Sequence, residues 1–86
     1  MRLLEPIRLG GATAPNRVMF GPIVTNLGDD DRRFTARHTA FYARRAEGGC
    51  GVVVTEGASV HASDWPYERA PLAERCADGW TAIARA

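Results

Sequence analysis

A short apolar run near the start of the chain stops abruptly at a Gly-Pro pair. Asn16 to Asn26 contains the run Val18-Met19-Phe20 followed by Gly21-Pro22. A continuous apolar run predicts a buried parallel strand covered on both faces, and Pro22, having no N–H, should end its regular pairing. Upstream, Ile7 and Leu9 alternate around Arg8, and Gly10-Gly11 separates them from Ala12 to Asn16, which closes on Pro15-Asn16. That pattern predicts a β-hairpin feeding the main strand. From Ala36 to Glu47 the period changes: Phe34, His38, Phe41, Tyr42 and Ala46 share one side, and Arg37 and Arg44 lie on the other. This is an amphipathic helix with Thr35 as N-cap and Gly48-Gly49 as its end. Gly51-Val52-Val53-Val54-Thr55-Glu56-Gly57 is β-branched and bounded by glycines, so it reads as a second buried parallel strand. A second helix begins at Asp78, with Trp80, Ile83 and Ala84 at the i, i+3, i+4 spacing, and runs to Ala86.

Strand, helix and strand make one βαβ unit, right-handed by the general rule for such crossovers. Glu56 and Gly57 then lie at the same end of the second strand as Pro22 does on the first. In α/β folds the residues just past such strand ends are where ligands sit, so the two ends together form a site candidate. The loop from Ala58 to Arg75 falls on that side, and Trp65, Pro66 and Tyr67 argue against its being disordered. Two buried parallel strands alone would expose their edges and most of both faces. The expected fold class is therefore α/β, the N-terminal portion of a (β/α)8 TIM barrel of about 250 residues. On this reading residues 1–86 are one incomplete domain, truncated after the second strand and the start of the second helix.

Composition adds few constraints. The 86 residues are 45% hydrophobic and 24% charged, with a net charge of +1. Such a balance gives no broad electrostatic footprint for nucleic acid or membrane and points to a small-molecule partner. No run approaches the roughly 18 apolar residues of a membrane span. Met1-Arg2-Leu3-Leu4-Glu5-Pro6 meets charge and proline too early for a signal peptide, so a cytoplasmic location is expected. Cys50 and Cys76 belong to no C-x-x-C pair and read as plain thiols.

Several arrangements invite a chemical reading. Asp29-Asp30-Asp31 lacks the alternating ligands, glycine and distant glutamate of an EF-hand, so Asn26 to Arg33 reads as a solvated surface loop and no metal site is expected. His38, on the apolar side of its helix, reads as a packed, hydrogen-bonded histidine, and Tyr42 as core. Gly48-Gly49-Cys50-Gly51 follows a helix and precedes a strand, the reverse of a dinucleotide fingerprint. Ser59, His61 and Asp64 are neighbours in sequence only, without a nucleophile elbow, and make no triad. His61 remains a candidate for lining a substrate pocket, because long loops of this kind carry function.

Four ordered motifs carry a resemblance. Leu4-Glu5-Pro6-Ile7-Arg8-Leu9-Gly10-Gly11, Pro15-Asn16-Arg17-Val18-Met19-Phe20-Gly21-Pro22, Phe41 to Gly49 and Gly51 to Gly57 resemble the N-terminal part of the old yellow enzyme family. These are the NADH:flavin oxidoreductases and dienoyl-CoA-reductase-like enzymes. The loop from Ser59 to Leu72 is similar to the branch associated with mycofactocin systems. The resemblance implies a TIM barrel carrying FMN, reduced by NAD(P)H, that passes hydride to an activated alkene or related acceptor. It implies that the flavin rests against Pro22, Ile23 and Val24, and that the backbone at Gly57 approaches the ring. A glycine there lets a backbone N–H come close to a planar ligand. Where the family often carries Thr, Cys or His this chain has Val24, so either Thr25 substitutes or backbone donors alone serve.

By the same resemblance, the substrate-anchoring His/Asn or His/His pair, the proton-donating Tyr or Cys, the flavin-binding Gln and the phosphate loops all lie beyond Ala86. So would the 4Fe-4S cluster and FAD of the dienoyl-CoA-reductase-like branch. No catalytic residue is therefore assigned within the chain, and the piece alone is expected to be inactive. Two other readings stay open: another TIM-barrel enzyme such as a lyase or aldolase, and a non-catalytic interaction module.

Overall fold

Local sequence decides where each element begins and ends in the computed structural model, which describes residues 2–86. Strands β1 (Ile7–Leu9) and β2 (Ala12–Ala14) pair antiparallel with Ile7 opposite Ala14. Gly10, in the turn between them, has a φ of 60° that favours glycine. Strand β3 (Met19–Phe20) pairs parallel with β4 (Val52–Val53), Met19 against Val52 and Phe20 against Val53. Helix α1 (Ala36–Glu47) connects them, and α2 (Ala77–Arg85) follows a single 3-10 turn at Ala73–Arg75.

The β3/β4 register is pinned by one side chain. The Asn16 amide donates to the Gly49 carbonyl at 2.7 Å, and its oxygen accepts the Val18 N–H at 2.9 Å. Gly51 lies directly against Asn16, where a Cβ would collide with the Asn16 carbonyl and side chain. The ladder continues with Gly51 N–H and Val52 N–H to Val18 O and ends with Val54 N–H to Phe20 O, so pairing stops before Pro22 as expected.

Helix α1 has the expected bounds, and both ends are satisfied. Thr35 caps the N-terminus, its side chain accepting from the first turn, and the Thr35 N–H donates back to His38 Nδ1 at 2.9 Å. His38 thus fills the place usually held by Glu or Gln in a capping box. At the other end Gly49 N–H reaches Ala46 O and Cys50 N–H reaches Arg45 O, with Gly49 at a φ of 110°. This is a Schellman closure, in which glycine takes the left-handed position.

The core gathers where α1, α2 and the long loop meet: Phe34, Tyr42, Ala70, Leu72 and Cys76 are buried. Phe34 packs edge-on to His38 at 4.6 Å and against Trp80 at 5.7 Å between ring centroids. Gly79 lets α2 sit this close, because a Cβ there would strike the Phe34 side chain and carbonyl. On the sheet side, Phe41 of α1 meets Phe20 of β3 at 5.9 Å, and the Arg45 guanidinium lies 3.9 Å from the Phe41 ring.

Four expectations are corrected. The two parallel strands are shorter than their apolar runs and are not buried: Met19 is 62% exposed and Val52 to Val54 are half-buried. Each has only the other as a paired strand among the described residues. Ala46 is exposed, because the end of α1 projects beyond what it packs on. The Ala58 to Arg75 segment contains the 3-10 turn and a parallel bridge between Ser59 and Leu72. Arg32, within the segment read as a solvated loop, is 2% exposed.

Candidate functional site

Beyond their last paired residues, β3 and β4 run side by side, and their continuations separate polar from apolar groups. Pro22, Ile23 and Val24 are exposed, Ile23 and Val24 by 51% and 61%. Thr25 turns inward, its hydroxyl donating to Glu56 Oε1 and its N–H lying 3.4 Å from Glu56 Oε2. Glu56 is buried, and the next residue, Gly57, returns to the surface. Neither Val24 N–H nor Gly57 N–H has a partner among the described residues, and the space a Gly57 Cβ would take is open.

Glu56 is the hub of this end of the fold. Besides Thr25, its carboxylate accepts from Tyr67 O–H at 2.6 Å and from His38 Nε2 at 2.8 Å, and its own N–H donates to Tyr42 O–H at 2.8 Å. Burial opposes ionisation of Glu56, but the bonds from Thr25, Tyr67 and His38 outweigh it and hold the carboxyl below its ordinary range. For His38 the balance falls the other way, burial lowering the imidazole more than the bond to and charge of Glu56 raise it. A neutral imidazole donating to a carboxylate satisfies both directions. Burial, and then the bond to Glu56, push the Tyr67 phenol well above its usual range.

The long loop is held by an arginine from the other side. Arg32 Nε donates to Ala70 O at 2.7 Å, and its two terminal nitrogens donate to Ala62 O at 3.0 Å and Asp64 O at 2.6 Å. The guanidinium sits 4.1 Å from the Trp65 ring centre, a cation–π contact. Arg32 adopts a φ of 61°, uncommon for a residue with a Cβ, and its carbonyl accepts the Leu72 N–H. The loop is closed at its base by Ser59 N–H to Pro71 O and Ala73 N–H to Ser59 O, and is tied to Asn26 Oδ1 through Arg69 N–H at 2.9 Å.

Between loop and strand ends lies an open cleft of about 310 Å³. Val24 lines it from the first strand, Gly57 and Ser59 from the second, and Asp64, Pro66 and Tyr67 from the loop. The structure thus brings two of the expected site residues, Val24 and Gly57, onto one volume. Pro22 and Ile23 lie just before it on the exposed strand end, and Thr25 is directed to Glu56. His61 is exposed, does not line the cleft, and has Nδ1 bonded to Ser63 Oγ at 2.7 Å. Two larger depressions, of about 490 and 510 Å³, lie at Arg33 and Glu74 and between the two helices; neither touches a strand end. Among the described residues no three His, Cys, Asp or Glu side chains form a metal-binding group. None of the helices described is long and apolar enough to cross a membrane.

Sequence reasoning missed Arg32 and gave Glu56 a place without a partner set. The signal for Glu56 was available, since a carboxylate two residues after a valine run needs donors wherever that run is packed. For Arg32 no local signal exists.

The geometry has counterparts among known proteins. Residues 2–85 match the sequence model of the NADH:flavin oxidoreductase / NADH oxidase family. A bilirubin reductase from Mediterraneibacter gnavus is 44% identical over 54 residues, 63% of this chain and 8% of that protein. An NADH oxidase from Thermoanaerobacter brockii is 34% identical over 59 residues, 69% of this chain and 9% of that protein. The solved old yellow enzyme homologue from Zymomonas mobilis superposes with a TM-score of 0.85 at 25% identity, covering 99% of this chain and 24% of that one. The chain spans less than a tenth of the length of these curated relatives. Its architecture is the N-terminal portion of a TIM barrel, with two of the parallel strands and no closed barrel.

Proposed function

Because this chain belongs to the NADH:flavin oxidoreductase / NADH oxidase family, we propose that it is the flavin-contacting N-terminal segment of an FMN-dependent NAD(P)H oxidoreductase. The observation that carries this reading is the meeting of Val24 and Gly57 on one open cleft at the ends of two parallel strands. The residues present fit a flavin. Exposed Ile23 and Val24 offer an apolar surface for a ring face and exclude water from it. The backbone N–H groups of Val24 and Gly57 are free to donate to a polar ring edge, and no Cβ at position 57 stands in the way. Thr25 Oγ1 is engaged by Glu56, which favours backbone donors over a threonine side chain on the ring.

When bound, FMN supplies ene-reductase-like hydride transfer from NAD(P)H to an activated alkene or related small molecule. The part played by these residues is to bind and orient. Relatives named bilirubin reductase and NADH oxidase support that reaction class, and the second supports NADH as donor. The relatives matched in sequence are long proteins, of which the chain covers 8% and 9%. This supports the branch whose further groups, a 4Fe-4S cluster and FAD, are held by residues after Ala86. The net charge of +1 supports a small-molecule partner over nucleic acid, and the free Cys50 and Cys76 agree with a cytoplasmic location.

The test is made on the gene product as its own cell makes it. Its intact mass is measured, then its visible spectrum before and after anaerobic NADH or NADPH. The expected result is a mass several times 9.3 kDa and a flavin absorption that bleaches with one of the two donors. A product carrying no flavin, and taking none up, overturns the reading.

A further inference from the structure

Resting on that flavin reading, we propose that Glu56 and Tyr67 are positioning residues for the cleft: the Glu56 carboxylate holds the Val24-Thr25 strand end and the Tyr67 wall at a fixed separation. The carboxylate touches both sides. Oε1 accepts from the Thr25 hydroxyl and from His38 Nε2, while Oε2 accepts from Tyr67 O–H at 2.6 Å and lies 3.4 Å from Thr25 N–H. Tyr67 lines the cleft, Thr25 follows the lining residue Val24, and Gly57 is peptide-bonded to Glu56 itself. A change in where this carboxylate sits therefore moves three sides of the cleft together.

The hub is itself immobilised. His38 is fixed on α1 by the capping bond from Thr35 N–H, and the Glu56 backbone is fixed by Tyr42 O–H. Both anchors lie on one helix, so the helix frame sets where the carboxylate is and the carboxylate sets where the cleft walls are. The Tyr67 hydroxyl donates its proton to Glu56 and so is not offered to a ligand; what Tyr67 presents to the cleft is a ring held in place.

The proposal makes reach, not charge, the property that matters. Glu56→Gln keeps the reach and loses the charge, and the Tyr67 hydroxyl can turn to accept from the new amide. Glu56→Asp keeps the charge but withdraws it by one methylene, out of simultaneous reach of Thr25 and Tyr67.

The experiment measures the FMN dissociation constant, the flavin absorption band and the melting temperature of the whole protein, wild type against Tyr67→Phe, Glu56→Asp and Glu56→Gln. Tyr67→Phe is expected to weaken FMN binding about tenfold and shift the flavin band while the protein stays folded. Glu56→Asp is expected to weaken binding about tenfold more than Glu56→Gln does. Wild-type affinity and an unshifted band in Tyr67→Phe overturn the proposal, as does a larger loss in Gln than in Asp. Should Tyr67→Phe not fold, the Glu56 pair decides in the same two directions. A wild-type protein that binds no FMN overturns the flavin reading and this inference with it, an outcome distinct from a wild type that binds and variants that do not differ.

Discussion

His38 Nε2 lies 2.8 Å from Glu56 Oε1 with both side chains buried, while Nδ1 of the same ring accepts the Thr35 N–H at 2.9 Å. A backbone N–H can only donate, so Nδ1 carries no proton and the ring is a neutral donor to a charged acceptor. One imidazole thereby caps a helix and satisfies the hub of the cleft. Replacing His38 with Ala removes a bond to a buried charge, a cap partner and packing against Phe34, so we expect a loss of about 3 kcal/mol in denaturant unfolding. His38→Gln, whose amide is a normal capping-box partner, should lose clearly less. Equal losses in the two variants would mean that the bonds contribute little and the ring packing contributes most.

Acid should weaken the fold, beginning with the same ring. The unfolded chain takes up a proton on His38 near its ordinary 6.5, whereas burial holds the folded imidazole neutral to lower pH. The unfolded state then binds more protons, so stability falls as pH drops below 6.5. Glu56, held below its ordinary 4.5, adds a loss of the same sign at lower pH. On the alkaline side Tyr42 and Tyr67 keep their protons past the ordinary 10, so the folded state binds more protons and stability falls as pH rises through 10. Melting temperatures at about pH 5, 7.5 and 10.5 should trace a dome. A higher value at pH 5 than at 7.5 would show that His38 charges in the folded state.

Arg32 should control the loop from a distance. Arg32→Met keeps much of the volume but leaves the carbonyls of Ala62, Asp64 and Ala70 without their donor. Amide exchange across residues 61–72 is expected to accelerate about a hundredfold, while α1 exchanges as before. Unchanged exchange in the loop would assign its order to the Ser59 and Leu72 contacts alone.

Two glycines should separate stability from ligand binding. Gly79→Ala places a Cβ against Phe34 and should cost about 1 to 3 kcal/mol without altering FMN affinity per folded molecule. Gly57→Ala meets open space and should shift stability by less than about 0.5 kcal/mol. It should nonetheless weaken FMN binding severalfold, read by flavin titration of the whole protein. Full affinity in Gly57→Ala would remove Gly57 from the flavin contact.

How far the sequence reveals this structure depends on whether a residue's partners are near in the chain. Helix α1 was legible to its last residue because its periodicity and the signals that bound it, Thr35 before and Gly48-Gly49 after, are all local in the chain. The hairpin was legible from Ile7, Leu9 and the Gly-Gly turn. Strand extents were not, because burial of Met19 and the three valines depends on layers that the described residues do not supply. Val24 and Gly57 could be brought together by counting strand ends. Arg32 could not be found this way, since the carbonyls that bury it belong to Ala62, Asp64 and Ala70, and nothing beside Arg32 in sequence distinguishes it from Arg33, which stays on the surface paired with Asp29 and Asp31.

Asn16 has a kinetic consequence. The parallel pairing it pins joins segments separated by a whole helix, so the chain loses loop-closure entropy before any ladder bond forms. A slip of one residue would also turn the valines of β4 over to the wrong face. By holding Gly49 O and Val18 N–H at once, the Asn16 amide admits one alignment at the moment of encounter. Asn16→Ala should therefore slow refolding more than it speeds unfolding, as read from the two arms of a chevron. The reverse partition would place strand alignment after the rate-limiting step.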